Sequence, residues 1–191
     1  MMLNIPNGLT LLRIALIPCL IFVFYLSENT LSTHNKNLIA TLIFLLAAIT
    51  DWLDGYLARK LNQTSSFGAF IDPVADKLIV IAALILLVQI GRLDSIIAFI
   101  IIAREFTISS LREWMATLGK SGSIAVAFIG KVKTTMQMIA ILFLLYYDNI
   151  LFLPIALLGK ILIYIAAFLT IISMIYYLKI AFKIIKEQKD F

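Results

Sequence analysis

The 191-residue chain has a single cysteine, Cys19, so it can form no intrachain disulfide and no cysteine cluster that binds a metal. Charged residues are also scarce: they make up 14% of the chain, whereas soluble proteins average about 25%. Hydrophobic residues account for 62% of the sequence. This composition excludes an ordinary soluble domain.

The apolar residues occur in blocks, which predicts an all-α integral membrane protein with six transmembrane helices. The helices are expected over residues 7–26, 36–60, 70–90, 93–116, 124–147 and 151–183. Residues 1–6 form a short apolar segment that we expect to lie at the membrane interface. No long linker separates the blocks, so residues 1–191 are predicted to form a single membrane domain.

Basic residues are distributed unequally between the two sides of this predicted topology. Of the 16 lysines and arginines, three fall on one side, and all the others fall on the opposite side or near it. The three are Lys36, Arg92 and Lys160. Because basic residues are retained in the cytoplasm, both termini are predicted to be cytoplasmic.

Four of the 11 acidic residues are aspartates within residues 51–76. A spanning helix needs about 20 residues, and the uncharged run before Asp51 is too short, so the second helix must continue through Asp54. The third helix must likewise begin near Asp72. Ionisable residues therefore occur at the cytoplasmic ends of helices two to five, which predicts a polar chamber open to the cytoplasm.

The spacing of the aspartates directs them to one place. Asp51 and Asp54 are three residues apart, and Asp72 and Asp76 are four apart, so each pair lies on one face of its helix. The two helices are antiparallel neighbours joined by a short turn, which brings both pairs to the same end. Four carboxylates would repel each other without cations. Their oxygens suit Mg²⁺ or Mn²⁺, and four are enough for two divalent metals.

The same stretch fits the pattern D-x-x-D-G-x-x-A-R followed by G-x-x-x-D-x-x-x-D, and it resembles the CDP-alcohol phosphotransferase family. The matching positions are Asp51, Asp54, Gly55, Ala58, Arg59, Gly68, Asp72 and Asp76. The segments "NIPNGLTLLRIALIP", "IAREFTISSLREWMATLGK" and "GKVKTTMQM" extend the resemblance over nearly the whole chain. They are similar to bacterial family members that make phosphatidylglycerol phosphate and CMP from CDP-diacylglycerol and glycerol 3-phosphate.

This resemblance implies roles for individual residues. The metal ligands would be Asp51, Asp54, Asp72 and Asp76, and Asp76 would also be the catalytic general base. The CDP-diacylglycerol site would include Gly55, Ala58, Arg59 and Gly68, with Asn7, Thr10 and Arg13 closing it from the first helix. The family likeness further implies a homodimer in the bacterial inner (cytoplasmic) membrane, surrounded by membrane lipids and without a nucleic-acid partner.

The acceptor, a phosphomonoester, requires several cations, and arginine is favoured for bidentate contact. The cations available on the fourth and fifth helices are Arg104, Arg112, Lys131 and Lys133. Glu105 and Glu113 could pair with the arginines.

Three alternatives stay open from the sequence. A sister enzyme could use another acceptor, such as inositol phosphate or phosphatidylglycerol. A divalent-cation transporter could use the carboxylates as its transit site, although transport sites usually lie near the bilayer midplane. A purely structural membrane protein would leave the four aspartates unexplained.

Overall fold

The computed structural model describes residues 5–61, 66–119 and 128–189. Within these ranges the chain forms six α-helices, which confirms the predicted all-α class and helix number. The helices are α1 (Ile5–Tyr25), α2 (Thr33–Leu61), α3 (Ser66–Gln89), α4 (Ser95–Thr117), α5 (Phe128–Tyr146) and α6 (Ile155–Lys189). Residues 1–4 of the predicted interfacial segment lie outside the described residues.

Among the described residues, three segments are long and apolar enough to cross a membrane. They are Asn7–Tyr25, Thr33–Asp54 and Ile155–Phe182, and α5 adds a shorter apolar stretch, Val132–Tyr146. Charges interrupt α3 and α4, so neither offers an apolar run of that length. Large apolar side chains such as Phe22 and Phe168 are exposed on the spanning segments. These surfaces suit lipid, as expected of a membrane protein.

The α-carbon contacts divide the chain into two compact units. The first contains Met1–Leu93 and Ile141–Leu157, and the second contains Asp94–Ala140 and Leu158–Phe191. The expectation of a single domain stays a prediction. In the second unit, Ile108, Leu111 and Met115 on α4 form an apolar cluster with residues 177 and 181 on α6.

In the first unit, α1 packs against both α2 and α3. Its buried side chains form one stripe that changes character along the helix: Asn7, Thr10 and Arg13 come first, and Leu20 and Val23 follow. These residues lie three or seven positions apart, the spacing of a single helix face. Helix α1 therefore contributes a polar half and an apolar half to the same interface.

The buried face of α2 shows the reverse order: apolar residues come first along the helix and polar residues follow. Ala40, Phe44 and Ala47 are buried in its first half, and Thr50 and Asp54 are buried further along. The two alanines leave room for a close approach of neighbouring helices, as small residues do in membrane proteins. The polar halves of α1 and α2 are thus both available to build a site.

At the ends of the helices opposite the aspartates, the turn after α3 carries a buried cation, Arg92. Its guanidinium donates to the carbonyl oxygens of Leu144 (3.1 Å) and Leu145 (2.8 Å) and to Oδ1 of Asn37 (2.6 Å). It also lies 4.2 Å from the ring centroid of Tyr147. The last carbonyl groups of a helix have no partner within the helix, and a cation there is favourable. Arg92 therefore ties the end of α5 to α2 and α3.

Burial lowers the pKa of Arg92, whereas nearby Tyr147 and Asp148 raise it. An arginine stays charged at neutral pH in spite of such a shift. The polar network continues outward, because the Asn37 amide donates to Asp148 (3.2 Å), which also bonds to His34 (2.8 Å). This network joins the start of α2 to the turn after α5.

We expect Arg92→Ala to destabilise the protein by about 2–4 kcal/mol, because it leaves buried acceptors without their charged donor. The measurement is the apparent Tm of the detergent-purified protein. Lys160→Ala is the matched control, since Lys160 is an exposed basic residue near the start of α6. Equal Tm values for the two variants would contradict the structural role of Arg92.

Candidate active site

The polar half of α1 supplies a fully buried guanidinium, that of Arg13, to the predicted aspartates. Its Nη2 lies 2.5 Å from Oδ2 of Asp54, and its Nη1 lies 3.3 Å from Oδ1 of Asp51. Nη1 also donates to Oδ1 of Asp76. One side chain of α1 therefore pairs with two carboxylates from α2 and one from α3.

The fourth aspartate is held by Thr10, one turn earlier on α1. The Thr10 hydroxyl donates to Oδ1 of Asp72 at 2.6 Å, and it lies 3.5 Å from Oδ2 of Asp54. Asp54 thus contacts both Thr10 and Arg13. The structure brings all four predicted aspartates together around two neighbouring side chains of α1.

The four carboxylates differ in their access to solvent. Asp54 is buried beneath Arg13, whereas the side chains of Asp51 and Asp76 are 52% and 43% exposed. The cluster is therefore closed on the side of Asp54 and open on the side of Asp51 and Asp76. A substrate would reach the two exposed carboxylates first.

Negative charge is in excess, because four carboxylates surround one guanidinium. Among the described residues, no group of three or more histidine, cysteine, aspartate or glutamate side chains is arranged to hold a metal ion. The carboxylates are instead organised around Arg13. Their oxygens are nevertheless the donor type that Mg²⁺ and Mn²⁺ prefer, and the excess charge favours the binding of further cations. The donor set therefore fits divalent metals chemically.

The remaining residues predicted for CDP-diacylglycerol lie close to the aspartates along the chain. Asn7 is buried on α1, one turn before Thr10, and Gly68 is buried on α3, one turn before Asp72. Helix α2 continues through Gly55, Ala58 and Arg59. The side-chain environment of these three residues lies outside the described part of the chain.

Sequence reasoning assigned Arg13 to the nucleotide side and missed its position among the carboxylates. A signal for it was present: Asn7, Thr10 and Arg13 recur every three residues in an otherwise apolar helix. Such spacing places three polar groups on one helix face. That face needed polar partners, and the aspartates provide them.

The second unit holds a separate cluster of charges. Lys133 on α5 is fully buried, and its Nζ donates to Oε1 of Glu105 on α4 at 2.6 Å. Nη1 of Arg104 donates to the same oxygen at 3.3 Å. Arg104 and Lys133, two of the predicted acceptor-binding cations, are therefore brought together by Glu105.

The other two predicted cations are not part of this cluster as described. Arg112 lies exposed on α4, two turns after Arg104. Helix α5 includes Lys131, whose side chain lies outside the described part of the chain. The pairing of Lys133 with Glu105 was missed, because the sequence offered Glu105 only as a partner for arginine.

The comparisons with known proteins identify the class of protein. A family model described as CDP-alcohol phosphatidyltransferase matches residues 3–172. The chain belongs to this family, which confirms the resemblance seen in the sequence.

Individual relatives are similar over nearly their full lengths. A protein of Haemophilus influenzae is 52% identical over 181 residues, which is 93% of each chain. One of Wigglesworthia glossinidia brevipalpis is 46% identical, over 96% of this chain and 97% of that protein. One of Escherichia coli (strain K12) is 48% identical, over 95% and 96%. Each is named CDP-diacylglycerol–glycerol-3-phosphate 3-phosphatidyltransferase.

We expect MgCl₂ or MnCl₂ to raise the Tm of the purified protein, because a ligand bound to the folded state stabilises it by about 2.7 kcal/mol at 100 times its Kd. Asp51→Asn and Asp76→Asn should reduce this shift, since each removes the charge of an exposed carboxylate. The control is Asp94→Asn at the N-cap of α4, where asparagine caps as well as aspartate. Equal shifts in all four proteins would contradict a metal site at the aspartates.

Proposed function

We propose that this protein transfers the phosphatidyl group of CDP-diacylglycerol to glycerol 3-phosphate, giving phosphatidylglycerol phosphate and CMP. The main observation that supports this proposal is that four aspartates lie around Thr10 and Arg13. They are Asp51, Asp54, Asp72 and Asp76. These aspartates occupy the motif positions of the family, and relatives that are 46–52% identical to this chain carry this enzyme name.

The reaction requires attack of an alcohol oxygen on phosphorus and departure of CMP. Two divalent ions, Mg²⁺ or Mn²⁺, held by Asp51, Asp54, Asp72 and Asp76, would supply neutralisation of the diphosphate charge. Asp76 acts as the general base: its half-exposed carboxylate can be reached by the acceptor hydroxyl, whose proton it takes as the new oxygen–phosphorus bond forms. The bond to CMP breaks, and CMP leaves with the bonding electrons.

Residues of α1 position the carboxylates for this chemistry. Arg13 offers donors in a rigid planar fork, so its bonds to Asp54 and Asp76 restrain the orientation of both side chains. Thr10 restrains Asp72 in the same way. Positioned groups lose little freedom when the substrate binds, which lowers the barrier.

Different residues would bind the two substrates. The cytidine diphosphate would lie against Gly55, Ala58, Arg59 and Gly68, with Asn7, Thr10 and Arg13 on the α1 side. The acceptor phosphate would be bound by Arg104, Arg112, Lys131 and Lys133. Of these, Arg104 and Lys133 are buried, and buried cations bind a phosphate dianion strongly because little water competes with them.

The expected result of an activity assay is release of CMP from CDP-diacylglycerol only when glycerol 3-phosphate and a divalent metal are both present. Asp51→Asn, Asp54→Asn, Asp72→Asn and Asp76→Asn should each lower kcat by about 100-fold or more, and Asp94→Asn should not. Inositol phosphate and phosphatidylglycerol serve as competing acceptors. Preferential use of either would show a sister activity and overturn the assignment of glycerol 3-phosphate.

We also propose that all six helices cross the bacterial inner membrane, with both termini and a metal-binding chamber on the cytoplasmic side. The uneven distribution of basic residues supports this orientation. A reporter fused after Phe191 should be cytoplasmic, and a tag inserted near His34 should be accessible from outside. The opposite result for either reporter would overturn the orientation.

We further propose a homodimer, on family likeness alone. A monomeric protein mass, measured by light scattering after subtraction of the detergent, would contradict it.

A further inference from the structure

Among the described residues, the charge cluster of the second unit has more hydrogen-bond donors than acceptors. Lys133 carries three N–H groups and Arg104 carries five, yet both cations donate to the same oxygen, Oε1 of Glu105. Nε of Arg104 is buried without a hydrogen-bond partner among the described residues. Because buried donors are almost always satisfied, this arrangement has unused capacity for an anion.

The protein's own anion beside Lys133 and Arg104 is the carboxylate of Glu105. The side chain of Lys133 is completely buried and that of Arg104 nearly so, whereas the side chain of Glu105 is 25% exposed. Two buried cations without a counter-ion would cost much free energy, so an acidic neighbour stabilises the protein without ligand. Its partial exposure gives Glu105 a path towards solvent that Lys133 lacks.

The contacts of Glu105 are unequal. Its bond to Lys133 at 2.6 Å is short, and its bond to Arg104 at 3.3 Å is long. Arg104 and Glu105 are consecutive residues of α4, and consecutive residues on a helix do not face each other. One oxygen of the Glu105 carboxylate is therefore shared between Lys133 and Arg104. A phosphate monoester has three terminal oxygens and a higher charge, so it can satisfy both cations and Nε of Arg104 better than one carboxylate oxygen does.

We propose that Glu105 is an internal competitor of the acceptor's phosphate group: it neutralises Lys133 and Arg104 in the free enzyme, and the phosphate displaces it from them on binding. This inference rests on the proposed function. Glu105 is thereby a positioning residue that sets the affinity for phosphorylated acceptors through its contacts with Lys133 and Arg104. Its negative charge weakens acceptor binding while keeping the empty site stable.

The test compares Glu105→Gln with the wild type in steady-state kinetics. Glutamine keeps the size of the side chain and removes the competing charge. The KM for glycerol 3-phosphate should fall by about 3- to 10-fold, equivalent to about 0.7–1.4 kcal/mol. The KM for CDP-diacylglycerol should stay the same. A merely structural role would lower kcat or stability without this selective fall in one KM.

Two further variants make the result specific. Glu113→Gln removes an exposed acid from α4, two turns after Glu105, and should leave both KM values unchanged. Lys133→Ala should raise the KM for glycerol 3-phosphate, and adding Glu105→Gln to it should lower that KM less than in the wild-type background. The effects of two residues that act at the same contact are not additive.

A binding measurement tests the same idea without turnover. Inorganic phosphate, compared with KCl at equal ionic strength, should raise the Tm of Glu105→Gln more than that of the wild type. If Glu105→Gln does not fold, Glu105→Asp serves, because its shorter side chain weakens the contact and should lower the KM in the same direction.

A raised KM for glycerol 3-phosphate in Glu105→Gln, or a smaller phosphate shift than in the wild type, would overturn the inference and make Glu105 a support for the cations. These outcomes are distinct from a failure of the proposed function, in which wild-type CMP release would not depend on glycerol 3-phosphate at all. The phosphate shift would then still decide the role of Glu105.

Discussion

The placement of one guanidinium among four carboxylates is the constraint on which the first unit depends. Arg13 is fully buried, and its charge is matched by Asp51, Asp54 and Asp76. Removing either sign alone would leave uncompensated charge in a poorly solvated place, which is far more costly than the pair itself is stabilising. The polar half of α1 is consequently held to α2 and α3 by charge, and its apolar half by Leu20 and Val23.

Arg92 is a second buried guanidinium in this unit. Its acceptors differ from those of Arg13, and this difference distinguishes a structural arginine from one in a candidate active site. Its hydrogen-bond acceptors are two backbone carbonyl groups and the Asn37 amide oxygen, all of them neutral. Such a cation completes a helix end and has no reactive partner. Arg13 has charged partners in excess, two of them half exposed. The excess of negative charge can be relieved by additional cations, so the donor set of the Arg13 cluster suits divalent metals chemically.

The second unit uses the opposite imbalance. Lys133 and Arg104 share a single carboxylate oxygen of Glu105, so positive charge is in excess there. Each of the two clusters thus has a surplus of one kind of charge: negative around Arg13 and positive around Glu105. In the first unit Arg13 neutralises part of the negative charge of the aspartates. In the second unit Glu105 neutralises part of the positive charge of Lys133 and Arg104.

The sequence by itself determined the class of this protein and the location of its chemistry. Apolar blocks interrupted by charges predicted six helices, because helix length and the cost of buried charge allow few other arrangements. The spacing of Asp51 with Asp54, and of Asp72 with Asp76, determined that each pair shares a helix face. The motif around these residues indicated the family before any fold was known.

Only the tertiary structure decided which partners these charges have. Arg13 lies 41 positions before Asp54 in the chain, and Lys133 lies 28 positions after Glu105. Periodicity specifies the face of a helix, but not which neighbouring helix that face meets or which of several cations lies opposite a given acid. Those choices follow from packing, in which small residues set the approach of the helices and buried charges find the nearest group of opposite sign.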